Sequence, residues 1–299
     1  MSALPIEPQA PAAPPLVSLA GIEGMLPPQM AGKAETDGVA KARQDAFTLI
    51  TLGVLGGAFI AFGAIFSNVA LAGSAGVVPF GLARVVAGFV FGLGLSLVLI
   101  GGAQIFTGDV LMVMAWADRK LSTFRLLRAW ALVWIGNLVG AVSTAVLVFA
   151  AGHHQFGGGV IGLNALQTAT AKSALPFDQA FLLGILCNVL VCLAVWLSLS
   201  TRLSAHRALL TMLPIAAFVA SGFEHAVANM YFLSFGLLIK YEAAPPFWQA
   251  VHSTPENFSA LTFVGFAHNL TAVTIGNIVG GAVLVAGVYW MLYLRPRKS

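Results

Sequence analysis

Ser221-Gly222-Phe223-Glu224-His225-Ala226-Val227-Ala228-Asn229-Met230 is a polar island set between two apolar runs, Ala208–Ala220 before it and Tyr231–Ile239 after it. Together the three pieces are long enough to cross a bilayer, yet the middle carries a carboxylate, an imidazole, an amide and a glycine. Ionisable groups at membrane depth are expensive, so they face a cavity, a partner or a substrate path. Glycine and serine at such a place invite a break in the helix, and irregular backbone is tolerated there only where it is buried or lines a cavity. The stretch therefore reads as part of a permeation pathway.

The rest of the chain fits a membrane setting. Its 299 residues are 59% hydrophobic and only 9% charged, whereas a soluble domain carries about a quarter charged residues. The net charge of +4 is no sign of a nucleic-acid partner, because the charges sit in loops and not on one basic face. Cys187 and Cys192 lie five apart in one apolar run, on different faces of a helix. With neither CxxC nor metal-ligand spacing they read as small packing residues, and no metal or cofactor is expected. Residues 1–46 lack the compact apolar core behind a basic start that marks a signal peptide.

Six apolar segments can be drawn: Phe47–Leu71, Leu82–Ala115 with an interruption at Gly101–Asp109, Leu126–Ala151, Phe177–Ser200, Ala208–Ile239 with the island, and Leu261–Leu294. Each supplies the ~20 residues that a transmembrane helix needs. An even number of spans puts both termini on one side. That side holds Lys33, Lys41, Arg43, Arg119, Lys120, Arg125, Arg128, Arg202, Arg207, Arg295, Arg297 and Lys298, and the other holds Arg84, Lys172 and Lys240. A split of 12 against 3 places both termini in the cytoplasm. The chain then divides into an N-terminal cytoplasmic segment, residues 1–44, and a transmembrane channel domain, residues 45–299. Residues 1–26 are rich in proline and alanine and are expected to be disordered. Pro27 and Pro28 open a short amphipathic helix, either a leader lying on the membrane surface or a mobile gate under the pore.

The second and fifth segments are the interrupted ones, and each is the middle of a group of three. An all-α protein of six spans, built as two inverted three-helix repeats with broken central helices, has this layout, and its binding site lies near the midplane. The expectation rests on hydropathy and the positions of the breaks. Within the island, His225 is the substrate-facing candidate, since imidazole exchanges protons near neutral pH. Glu224 would repel an anion, so it is expected to point away and satisfy backbone donors of the loop that Ser221 and Gly222 shape. Phe91, Leu95, Ile105, Phe106 and Phe218 surround the breaks, as ordinary packing or as hydrophobic constrictions that exclude hydrated ions. Lys172 is either a solvated loop lysine or part of an electropositive funnel.

Several longer stretches carry a resemblance: Gly102–Gly108 (Gly-Ala-Gln-Ile-Phe-Thr-Gly), Gly184–Trp196, Phe218–Met230, Pro255–Ser259 and Val273–Gly281, with Pro28-Gln29-Met30 and Gly38–Ala42 in the leader. Over about residues 27–295 the chain resembles the formate–nitrite transporter family, and within it the branch that carries formate. The resemblance implies a homopentamer in the inner cell membrane whose protomers each hold an aquaporin-like pore for small monovalent anions. Formate is the first expectation, with nitrite, hydrosulfide or short carboxylates as alternatives, and proton coupling is part of the picture. The family's central pore histidine falls on His225, its outer lysine on Lys172, its pore asparagine on Asn277 and its fourth-span asparagine on Asn188, with Thr107 on the substrate path. Its constriction residues fall on Phe91, Leu95, Ile105, Phe106 and Phe218. This chain departs from the family at Gln104, where an acidic residue is usual, at Ile105 for leucine, at Ala272 for proline and at His268 for a carboxylate. The paired Asn-Pro-Ala repeats of an aquaporin are absent. No nucleophile or cofactor loop accompanies Glu224 and His225, which counts against an enzyme.

Overall fold

The computed structural model describes residues 24–295, so the disorder expected at the extreme N-terminus and the side assigned to Arg297 and Lys298 lie outside the described residues. Among the described residues the chain is helical, with no strand. Helix α1 (Pro27–Ala42) begins with proline in its first turn, where a missing N–H costs nothing, and the Gln29 side chain accepts from the Leu26 N–H at 2.8 Å. Met30, Ala34, Glu35 and Gly38 are buried. The apolar face of α1 is thus covered by the protein, which argues against a leader lying on lipid. Asp45 then caps α2 (Ala46–Leu71) by accepting from the Thr48 N–H at 3.0 Å and the Thr48 hydroxyl at 2.6 Å.

Helix α3 (Phe80–Gly101) stops at Gly102, and the chain resumes in α4 (Phe106–Asp109), a 3-10 turn at Val110–Met112 and α5 (Val113–Ala117). Ser122 caps the long α6 (Thr123–Ala150). Three consecutive glycines with positive φ, Gly157 to Gly159, turn the chain into α7 (Val160–Ser173). This helix was not anticipated; the sequence reading leaves that region as a connection between the third and fourth segments. Next come α8 (Phe177–Leu199), α9 (Ser204–Ala220), α10 (Ala226–Glu242) and the short α11 (Pro245–Ala250). The last apolar segment is α12 (Phe263–Ile278), a π-helical stretch Val279–Gly287 and α13 (Val288–Tyr293).

Among the described residues, five helical stretches are long and apolar enough to cross a membrane: α2, α3, α6, α8 and the run Pro255–Tyr293. The fifth apolar segment of the sequence is instead divided between α9 and α10 by the polar island. Helix α2 packs on α3 and α6, α3 on α9, α8 on α9 and α12, and α10 on α6 and α7. Two of these crossings need glycine for close approach. A Cβ at Gly136 would lie 2.6 Å from the Ile50 carbonyl oxygen, and one at Gly276 would lie 2.3 Å from that of Phe181. Phe62, Phe66, Leu82, Leu147, Leu209 and Leu213 are exposed, a surface suited to lipid or to neighbouring subunits and not to water.

Candidate functional site

Both breaks are built alike. Gly102 (φ +81°) ends α3 and Gly222 (φ +74°) follows the end of α9, each in the left-handed region that a side chain would strain. Three residues later an extended residue, Ile105 or His225, starts the next helix. A fully buried asparagine from the following apolar segment holds each break. Asn137 accepts from the Phe106 N–H at 2.9 Å and donates to the carbonyls of Gly53 at 2.7 Å and Gln104 at 3.0 Å. Asn277 accepts from the Ala226 N–H at 2.9 Å and donates to the carbonyls of Gly184 at 2.8 Å and Glu224 at 3.0 Å. The likeness continues one bond further. The Gln104 N–H donates to Leu52 O at 3.0 Å, and the Glu224 N–H donates to Leu183 O at 3.3 Å.

Asn137 was missed in the sequence, although the signal was there. Ile135-Gly136-Asn137-Leu138-Val139-Gly140 and Ile275-Gly276-Asn277-Ile278-Val279-Gly280 are nearly the same string. Asn277 and Asn188 are both expected on the substrate path, and in the structure both amides are tied to backbone at the breaks. Asn188 donates to the carbonyls of Thr107 at 3.1 Å and Asn277 at 2.6 Å. The bonds these two amides make run to backbone, and neither residue lines the two cavities that flank the breaks.

His225 sits between the two restarted helices. Its Nδ1 accepts from the Ala228 N–H at 3.0 Å, and its Nε2 is 2.9 Å from the Thr107 hydroxyl. An amide can only donate, so Nδ1 carries the lone pair. The ring is therefore the neutral Nε2–H tautomer, donating to Thr107 Oγ1. The ring of Phe218 lies nearly parallel to His225 at 5.7 Å, and Phe91 meets Phe218 edge-to-face, also at 5.7 Å.

Two cavities flank this centre. One, of about 60 Å³, is bounded by His225, Phe91, Phe218, Lys172, Arg84 and Asn229, among others. The other, of about 240 Å³, lies beneath α1 and is bounded by Gln104, Asp109, Lys41, Arg207 and neighbours. They share no lining residue. Leu95, Ile105 and Phe106 line neither; they are buried, with the Phe106 ring edge-on to Trp130 at 6.1 Å.

Glu224 does not satisfy backbone donors, as expected, but side-chain ones. Its carboxylate accepts from Lys172 Nζ at 2.7 Å, from Asn229 at 2.6 Å and from Asn269 at 3.3 Å. Three side-chain donors converge on it, and two of them, Lys172 and Asn269, come from distant helices and are invisible in the local sequence. Lys172 is correspondingly not a loop lysine. It lies in the last turn of α7, its side chain is 16% exposed, and its Nζ is 5.6 Å from the centre of the Phe232 ring.

At the other cavity α1 is clipped to the body. Lys41 meets Asp109 at 2.7 Å, Lys120 bridges Glu35 at 2.7 Å and Asp118 at 2.9 Å, and the Gln104 amide donates to Gln44. Burial pushes the Glu35 carboxyl above its ordinary range, against the opposing pull of Lys120. Among the described residues no cluster of three or more His, Cys, Asp or Glu gathers to hold a metal ion.

Comparison with known proteins agrees with this architecture. The family described as formate/nitrite transporter matches residues 28–291. A formate channel FocA of Escherichia coli (strain K12) is 45% identical over 272 residues, covering 91% of this chain and 95% of that protein. FocA of Haemophilus influenzae is 37% identical, with 89% and 93% covered. A solved structure described as a pentameric formate channel with formate bound superposes with a TM-score of 0.79 at 39% identity, covering 84% of this chain and 98% of that one. A second, an FNT family ion channel, gives 0.74 at 27% identity, with 88% and 98% covered. These relatives are channels and transporters, not enzymes.

Proposed function

We propose, from the premise that this chain belongs to the formate/nitrite transporter family and is a multi-pass membrane protein, that it is a channel for small monovalent anions, formate first. The observation that carries this reading is the His225–Thr107 hydrogen bond at 2.9 Å, which joins two helix starts between two separate cavities. The architecture we assign is six spans in two inverted three-helix repeats, an aquaporin-like protomer. The repeated asparagine clamps support it. We assign a homopentamer by analogy with the pentameric relative. We assign both termini to the cytoplasm, which the distribution of lysine and arginine supports, and the inner membrane from the resemblance to the family.

In this reading an anion enters the smaller cavity, passes Phe91 and Phe218, and meets the Nε2–H of His225. Leu95, Ile105 and Phe106 form the second barrier, which a hydrated charge does not cross. Desolvation raises the proton affinity of a carboxylate, so a hydrogen bond from His225 becomes stronger as water is shed. A complete proton transfer needs an imidazolium donor, since the neutral ring would otherwise be left as an anion. Forming the imidazolium puts a proton on Nδ1 and breaks the Ala228 cap. Proton coupling is thereby tied to a rearrangement at the start of α10.

The test is flux into liposomes with an internal pH dye, comparing formate, nitrite, hydrosulfide and lactate across pH. Wild-type protein should acidify the lumen with formate, and His225→Ala should abolish that acidification. A His225→Ala protein that behaves as wild type would overturn the role of the ring. Faster flux of another anion than formate would reassign the preferred substrate.

A further inference from the structure

The lysine expected to draw anions inward is already neutralised. Lys172 Nζ lies 2.7 Å from Glu224, whose side chain is 4% exposed. The smaller cavity has a second cation in its wall, Arg84 in the second turn of α3. Its Nε donates to Ala220 O at 3.3 Å and its Nη2 donates to Val219 O. Those carbonyls sit at the C-terminal end of α9, where a positive charge is favoured by the helix dipole. Among the described residues no carboxylate comes within ion-pair distance of Arg84. Of the five N–H groups of a guanidinium, two are used on carbonyls and three remain.

The position of Arg84 adds to this. A wide surface depression of about 740 Å³ opens beside the turn between α2 and α3. Leu71, Arg84, Asn164 and Thr168 line both that depression and the cavity of about 60 Å³ that holds His225. These four residues form the neck between the two spaces, and Arg84 is the charged one. By the measure in which one water needs roughly 10–15 Å³, the cavity behind the neck takes a formate-sized ion and a water or two.

We propose that Arg84 is a positioning and selectivity residue at this neck, holding a planar monovalent carboxylate on its free N–H groups before the ion reaches His225. The inference rests on the channel reading above. It assigns the attracting charge to Arg84, while Lys172 and Glu224 together hold the break. Arg84 also braces the end of α9, so the test must separate charge from brace.

Half-saturating formate concentration and maximum flux are measured in liposomes for Arg84→Gln, Arg84→Lys and Thr168→Glu. Arg84→Gln should raise the half-saturating concentration about tenfold, the loss expected for one charge-assisted hydrogen bond. Arg84→Lys keeps the charge and should stay within about threefold of wild type. Thr168→Glu puts a counter-charge on the wall of the same neck while Arg84 keeps its carbonyls, and it should also raise half-saturation. If Arg84→Gln fails to assemble, Thr168→Glu decides alone. Unchanged half-saturation in Thr168→Glu overturns the proposal. So does an equal loss of maximum flux in Arg84→Lys and Arg84→Gln with half-saturation unmoved, which marks Arg84 as a brace only. A wild-type protein that passes nitrite or hydrosulfide and not formate overturns the assignment of a carboxylate to this neck. One that passes none of them overturns the channel reading itself, and this inference with it.

Discussion

Replacing Asn277 tests whether the second break is held by its clamp. The side chain is fully buried and makes three hydrogen bonds, to Ala226 N–H, Gly184 O and Glu224 O at 2.9, 2.8 and 3.0 Å. At a net ~0.5–1.5 kcal/mol each, Asn277→Ala should lose roughly 2–4 kcal/mol. Asn277→Asp is sharper. The carboxylate still accepts from Ala226, but its second oxygen faces two carbonyls that had a donor, so the loss should equal or exceed that of alanine. With about 2–4 °C per kcal/mol for a chain of this size, apparent melting should fall by about 5–15 °C. The assay is size-exclusion chromatography of detergent-purified protein after a heating series, with Asn137→Ala alongside. The Asn137 bonds match those of Asn277 to within 0.1 Å, so the two alanine variants should fall together. An Asn277→Asp protein that melts like wild type would refute the clamp. If Asn277→Ala altered flux at unchanged stability, the residue would belong to the substrate path after all.

Lys172→Met leaves the Glu224 carboxylate, 4% exposed, without its counter-charge; removing one partner of a buried pair costs roughly 3–5 kcal/mol. The double variant Lys172→Met/Glu224→Gln should recover part of that in the same heating series, and strict additivity of the two changes would contradict the pairing. Thr107→Val removes the acceptor of the His225 Nε2–H and should lower formate flux about tenfold, with Thr107→Ser close to wild type; equal flux in valine and serine variants would discount the bond. The Glu35 carboxyl is raised by burial, so the docked α1 binds its proton more tightly than an undocked one. Docking is therefore favoured as pH falls through the raised value towards the ordinary 4.5, and above that window the burial penalty on the charged form is borne in full. Limited proteolysis at the α1 connection should become faster as pH rises through the window, and Glu35→Gln should flatten that dependence; an unchanged slope would rule Glu35 out as its source.

Both interruptions were legible because their residues violate an apolar pattern: Gly102 and Gly222 punctuate runs that otherwise read as helix, and Glu224 and His225 are too polar for membrane depth without a reason. The partners of those residues were not legible. Glu224 meets Lys172, Asn229 and Asn269, residues whose convergence depends on how α7, α10 and α12 pack and not on spacing. Asn137 looked like one polar residue in a long helix, and only comparison with the string around Asn277 marks it. Helix α7 escaped notice because its mixed polarity follows a glycine run, which reads as a turn. Arg84 entered only as a charge for orientation, since nothing local says that its guanidinium reaches the end of α9.

The two clamps also bear on how the chain is made. Asn137 ties together residues 53 to 137, and Asn277 ties together residues 184 to 277. Neither clamp borrows an atom from the other half. At roughly 5–20 residues per second of synthesis, the 140 residues that separate the two asparagines amount to roughly 7–28 s. The first break can therefore close while the second is still inside the ribosome, and its polar backbone need not wait unpaired in the bilayer. The contacts of His225 and Asn188 with Thr107, like those of Arg84 with the end of α9, cross between the halves and wait for the second of them. The bonds that join the halves are then the last to form in biogenesis, a seam between two parts already set.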